Sequence, residues 1–187
     1  MEEVSTEVLR HCQNGSAESF AAVVETYERP IFSYVYRLLA HARVGMEPED
    51  VVQEVFLKAY TEVRTFDPLR GAKFSTWLFA ITRNTCVSLL RKKSVEREMD
   101  EVEDEDVEAL ADSRLPDPRA VASEREFAER VAEAVAALPE KLRSVFILRF
   151  YEELPYEEIA AVMDCNIATL KSRMSRAREK LAQVLAD

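Results

Sequence analysis

Apolar residues recur at three- and four-residue spacing along most of the chain, and strand-like alternation is scarce. That spacing places one apolar stripe on each helix, so the pattern predicts an all-α protein. An N-terminal block, to about residue 94, reads as about four helices. The first runs from about Glu3 to Gln13 and ends at Asn14-Gly15-Ser16. Ser16 is placed to cap a second helix from Ala17 to about His41, with Pro30 a candidate bend. A third begins near Pro48, a residue suited to a first turn, and aligns Val52, Val55, Phe56, Ala59 and Val63 on one face. Asp67-Pro68 and Gly71 mark a loop before a fourth helix, from about Ser75 to Lys93. Most of the aromatic residues fall between Phe20 and Phe79, enough for this block to hold its own core.

A second block begins near Ser123. Helices are expected from about Glu124 to Ala137 and from Pro139 to Tyr151. Leu138-Pro139 and Leu154-Pro155 bound them, because proline disfavours helical geometry in the residue before it. Two short helices joined by a tight turn follow, in YEEIAAVMDCNIATLKSRMSRAREKLAQVL, residues 156–185. Ile159, Ala160, Met163, Ile167, Leu170 and Met174 fall where such a pair must bury itself. Ile167, Leu170, Met174, Ala177 and Leu181 are expected to point inward from the last helix. The architecture expected is two small helical domains, residues 1–94 and 123–187, joined by a linker over 95–122.

That linker changes the meaning of the composition. The chain of 187 residues has a formal net charge of -10. Basic and acidic residues balance up to residue 94 and nearly balance after residue 119; the excess of acid lies between. The segment SVEREMDEVEDEDVEALADSRLPDPRA has no aromatic residue, few large apolar ones, and both Pro116 and Pro118. It buries too little surface to offset chain entropy, so a flexible connection is expected. It reads either as a solvated spacer or as a polyanion that occupies a basic channel on a partner. Extended, about 25 residues reach on the order of 80 Å, enough to hold two DNA-binding domains apart on one duplex.

Other classes are poorly supported. No apolar run approaches membrane-spanning length and no basic-then-apolar leader opens the chain, so neither a membrane span nor a signal peptide is expected. Cys12, Cys86 and Cys165 are far apart, and with His11 and His41 they make a poor metal inventory. Buried cysteines in a reducing cytoplasm are expected. No cofactor, metal ion or small-molecule substrate is implied, and no motif supports an enzyme.

Three constellations carry chemistry. The last helix holds Lys171, Arg173, Arg176, Arg178 and Lys180 against Glu179 alone. Lys171, Ser172, Ser175 and Arg176 form the face opposite its apolar stripe, the face that a major groove would meet. Arg173 and Arg178 flank it and suit phosphates. On the third helix Asp50 and Glu54 stand one turn apart beside Gln53, away from the apolar stripe; alone they read equally as a solvated face. On the fourth, Phe74, Trp77, Leu78, Ile81 and Leu89 form an apolar face, with Arg83, Asn84, Ser88 and Arg91 toward another side. Asparagine and arginine beside aromatic residues suit bases exposed in melting DNA, whereas Trp77 itself reads as core.

DVVQEVFLKAY, KFSTWLFAITRN, the acidic linker, LPEKLRSVFILRFYEELPYEEIAAVM and ATLKSRMSRAREKL, in that order, closely resemble the extracytoplasmic-function (ECF) group of bacterial sigma factors. The resemblance covers nearly the whole chain; DVVQEVF and ATLKSRMSRAR are its specific blocks. It implies a sigma-2 domain over 1–94 and a sigma-4 domain over 123–187. It assigns Asp50, Gln53 and Glu54 to the clamp helices of the polymerase beta-prime subunit, and it implies a contact with the beta flap. It gives Lys73, Asn84, Ser88 and Arg91, with the loop Asp67 to Lys73, to the promoter -10 element. Lys171, Ser172, Arg173, Ser175, Arg176 and Arg178 go to the -35 element. The linker would enter the active-site and RNA-exit channels. Core RNA polymerase, promoter DNA and an anti-sigma factor are the implied partners, the cytoplasm the implied place, and no additional sensory domain is expected. Two departures stand out: Asp164 where relatives often have glycine, and Asn166-Ile167-Ala168 in place of Pro-x-Gly.

The function expected is therefore that of an alternative sigma factor directing promoter-specific initiation. The rival readings are a helix-turn-helix regulator acting without joining the polymerase, and a helical interaction protein whose basic helix meets an acidic partner.

Overall fold

A computed structural model of the protein describes residues 3–40, 42, 45–67, 71, 73–100 and 120–186, without the side chains of 93–100 and 120–125. Among the described residues there are eight α-helices and one short 3-10 turn, and no strand. They are α1 (Thr6–Gln13), α2 (Ala17–Leu39), α3 (Pro48–Glu62), the 3-10 turn Val63–Thr65, α4 (Phe74–Asp100), α5 (Ala120–Ala136), α6 (Glu140–Phe150), α7 (Tyr156–Val162) and α8 (Ile167–Ala186).

The helix starts follow capping chemistry. Ser5 caps α1 by accepting from the Val8 N–H, and Ser16 caps α2 by accepting from the Ser19 N–H. Between them Gly15 sits at φ +90°, where a Cβ would also come within 3.3 Å of Arg64 Nη2. α2 runs as one helix through Pro30. Pro48 occupies the first turn of α3, with Glu49 and Asp50 where the helix dipole favours carboxylates.

Two helices are longer than expected. α4 continues to Asp100, past Lys93, and α5 begins at Ala120. The RKKSVEREMD stretch has no glycine or proline and is mostly good helix formers, so the ladder propagates without an apolar stripe to demand it. The flexible linker expected over 95–122 thus loses both ends to helices; its centre, 101–119, lies outside the described residues.

α1 to α4 pack on one another around Val23, Tyr27, Ile31, Leu38, Val51, Val55, Leu78 and Phe79. Trp77 is half-buried, with the rings of Phe74 and Phe66 at 5.2 and 5.6 Å, so it belongs to the core's aromatic edge. α5 to α8 pack around Val145, Ile147, Leu148, Ile159, Leu170 and Met174. The two groups also meet each other: α4 lies against α7, and α2 against α6 and α5.

Candidate polymerase and nucleic-acid interfaces

On α3 the buried stripe Val51, Val52, Val55, Phe56 and Ala59 turns Asp50 and Gln53 out to solvent. Glu54 is half-buried, its Oε1 2.6 Å from Lys58 Nζ, and Lys58 also donates to Thr85 Oγ1 at 3.3 Å. Thus Asp50, Gln53 and Glu54 share one side, but Glu54 is already engaged. Leu57, which the sequence reading passed over, continues the same side one turn on and is 65% exposed; Tyr60 is 38% exposed. With Val24, Val52 and Phe56 they line a shallow apolar groove between α2 and α3 that Gln53 borders. The available signal was a leucine standing at polar-face spacing from Gln53.

On α4, Asn84, Ser88 and Arg91 are exposed at spacings of four and three, which aligns them along one face. Arg83 lies off that line and is largely covered, its Nη2 3.3 Å from Glu140 Oε1. Lys73 precedes the helix, roughly 16 Å along its axis from Asn84, and its Nζ lies 2.6 Å from Glu158 Oε1. The hydrogen bond and the charge of Glu158 hold the Lys73 ammonium above the usual lysine range. Much of the loop between Asp67 and Lys73 lies outside the described residues.

The helix-turn-helix is formed by α7 and α8. Ile159, Ala160, Val162 and Met163 are buried from one side, Leu170, Met174, Ala177 and Leu181 from the other. Ile167, expected to point inward, is 39% exposed instead. As the first residue of α8 it lies beyond the helix crossing that buries Leu170 one turn on. Asn166, which looked like a departure, caps α8: its Oδ1 accepts from the Thr169 N–H at 2.7 Å. Asp164 makes the turn at φ +46°, a geometry that costs a residue with a Cβ more than glycine. Asp164→Gly is therefore expected to stabilise the chain by about 0.5–1 kcal/mol, read as a higher denaturation midpoint; a lower midpoint would show that the aspartate side chain serves the turn.

On the outer side of α8, Lys171, Ser172, Ser175, Arg176 and Arg178 are exposed and Arg173 is half-buried. The Arg178 guanidinium sits 5.6 Å from the Phe150 ring centre, which restrains it. Arg173, Arg176 and Lys180 also line a groove with Lys141 of α6, where Glu179 is the one carboxylate among the lining residues. Lys141 was not legible as part of this surface, because only tertiary packing brings α6 beside α8. Cys12 and Cys86 are buried, Cys165 half-buried, and all three are free thiols; burial pushes the Cys86 thiol up to about 12.

Residues 23–95 match the family described as Sigma-70 region 2, and residues 128–181 match Sigma-70, region 4. Over the full length of both chains the protein is 32% identical to the ECF RNA polymerase sigma factor SigW of Bacillus subtilis (strain 168). The chain belongs to the ECF group of RNA polymerase sigma factors. It is also 35% identical to the ECF RNA polymerase sigma-E factor of Escherichia coli (strain K12), over 96% of this chain and 94% of the relative. The fold of this ECF sigma factor is similar to that of the sigma factor RpoE of Bartonella quintana, solved with the anti-sigma factor NepR. The TM-score is 0.68 at 25% identity, over 91% of this chain and 98% of that one. It is similar too to CnrH, solved with the cytosolic domain of CnrY, at a TM-score of 0.64 and 24% identity over 96% and 95% of the two chains.

Proposed function

We infer that this ECF sigma factor joins core RNA polymerase as an alternative specificity subunit and directs initiation at its own promoters. The observation that carries the reading is the match of both sigma regions, in order, within full-length relatives 32 to 35% identical. A regulator that never joins the polymerase has no comparable support. In vitro transcription with core polymerase over a random promoter library tests it; transcripts sharing upstream elements are expected, and their absence would overturn the reading.

Each surface then has a task. Asp50, Gln53 and Glu54, with Leu57 and Tyr60 at the apolar groove beside them, face the beta-prime clamp helices. Lys73, Asn84, Ser88 and Arg91 take the -10 strand, where binding energy for exposed bases offsets unpairing without ATP. Lys171, Ser172, Ser175 and Arg176 read the -35 groove while Arg173 and Arg178 hold phosphates. The second domain also meets the beta flap, and the acidic residues of 95–122 run through the polymerase channels as an RNA-like polyanion. An anti-sigma factor is the expected inhibitor, as in the two solved complexes of similar fold. The chain acts in the cytoplasm, where polymerase and promoter are; no helix among the described residues is long and apolar enough to cross a membrane. Its work is binding rather than catalysis.

Arg176→Ala is expected to weaken binding of the holoenzyme to -35 DNA by about 1–3 kcal/mol, measured by titrating duplex promoter. An unchanged footprint and unchanged transcription would remove Arg176 from the recognition face.

A further inference from the structure

The contact between the two helical groups is unusually rich in polar pairs. Arg143 of α6 donates from Nη1 to the Leu38 and Ala40 carbonyls at 2.8 and 3.2 Å, closing the end of α2, and from Nη2 to Leu138 O at 2.9 Å. The hydroxyls of Tyr34 and Ser144 meet at 2.9 Å in a fully buried position. Arg37 donates to Ser33 Oγ at 2.8 Å, and Ser33 donates to Glu152 Oε1 at 2.7 Å. Burial raises the Glu152 carboxyl above its ordinary range, opposed by Ser33 and the Arg37 charge.

Two further pairs fall on the proposed -10 surface itself. Glu158 of α7 receives Lys73 Nζ at 2.6 Å on one oxygen and the Thr76 hydroxyl at 3.3 Å on the other. Glu140 of α6 receives Arg83 Nη2 at 3.3 Å. Both carboxylates stand in the first turn of their helices, where the dipole favours negative charge. Each thus presents an anion to a group that a nucleic-acid phosphate would use.

We propose that the acidic first turns of α6 and α7 are an intramolecular phosphate mimic: Glu140 and Glu158 close the free chain onto Lys73, Thr76 and Arg83 and mask that flank of the -10 surface until the domains part. The proposal rests on the sigma-factor reading of α4. The seam is built to release. Lys73 is more than half exposed, so its pair is screened and weak. Arg83 Nε is buried with no hydrogen-bond partner, and opening lets it hydrate or meet a phosphate. Polar pairs that water can replace hold a conformation without trapping it. Meanwhile Asp50, Gln53, Lys171, Ser172, Ser175 and Arg176 stay exposed in the closed chain, so polymerase can engage it before the -10 flank is released.

The test uses the full free chain and a labelled single-stranded oligonucleotide of random sequence. Glu140→Gln with Glu158→Gln is expected to tighten binding by roughly three- to tenfold and to lengthen the maximum dimension seen by small-angle scattering. Because removing carboxylates raises DNA affinity anywhere, Glu7→Gln with Glu62→Gln is the charge-matched control, expected to change neither. Equal tightening in the control, or a wild-type chain already extended in scattering, overturns the proposal. Circular dichroism confirms folding of both double variants, and raised ionic strength is expected to open the wild type as a second measurement. Co-elution with core polymerase is read in parallel. Loss of the wild type's co-elution would count against the sigma-factor reading, whereas unchanged oligonucleotide affinity with normal co-elution would count against the mask alone.

Discussion

Asp50→Lys combined with Glu54→Lys is expected to abolish holoenzyme formation while the chain stays folded. The reasoning compares two costs. Inside the chain, Asp50 is exposed and gains only from the dipole of α3, about 0.3–1 kcal/mol. Glu54 has its exposed pair with Lys58, an i,i+4 arrangement of about 0.3–0.5 kcal/mol. The stripe that anchors α3 (Val51, Val55, Phe56, Ala59) is untouched. Against the polymerase, both changes place like charge at the centre of the proposed docking side. A central interface pair commonly accounts for 2 kcal/mol or more when lost, and about 3 kcal/mol is over a hundredfold in Kd. Reversal adds repulsion to that loss. Size-exclusion of the variant with core polymerase, beside its thermal melt, separates the two costs; normal co-elution would place the docking surface elsewhere. Leu57→Ala is the informative companion, since it removes apolar contact at the same groove without changing charge.

How much of this was legible in the chain depends on whether local chemistry or packing decides a feature. The starts at Ser16 and Pro48 were readable because capping and first-turn preference act within a few residues. The apolar stripe of α3 was readable because one periodicity holds over its whole length. The extensions of α4 to Asp100 and α5 from Ala120 were missed because the search followed apolar stripes, while propensity alone sustains those turns. Asn166 looked like a defect and is a cap, because the Pro-x-Gly comparison hid its own side-chain chemistry. Ile167 failed in the opposite direction: spacing put it on the inner face, but the first residue of a helix has no turn before it to pack. The line Asn84, Ser88 and Arg91 could be drawn from spacing, whereas Lys73 meeting Glu158 could not, since their separation along the chain leaves no local trace. Lys141 beside α8 is a tertiary fact of the same kind. The acidic excess between the two blocks was plain, and most of it belongs to residues outside the described structure.

The second large effect concerns the anchoring of α8. Leu170 is fully buried, and α8 packs on α5, α6 and α7 through it and through Met174, Ala177 and Leu181. Ala177 is already small, so the neighbourhood has no long side chain one turn on that is free to fill a void. Leu170→Ala is therefore expected to cost about 3 kcal/mol, within the usual range for a buried leucine. The thermal midpoint then reports more than the size of the cavity. If α5 to α8 melt as a unit of their own, that loss lowers the midpoint by roughly 12–24 °C; if they melt with α1 to α4 as one larger unit, by roughly 6–12 °C. The buried Tyr34–Ser144 pair and the Arg143 bonds to the end of α2 couple the two groups, so the smaller shift is expected in the free chain. Glu140→Gln with Glu158→Gln, added to Leu170→Ala, should move the shift toward the larger value by loosening that coupling. An unchanged midpoint for Leu170→Ala would mean that α8 is not held by this side chain, and the recognition face it presents would then need another anchor.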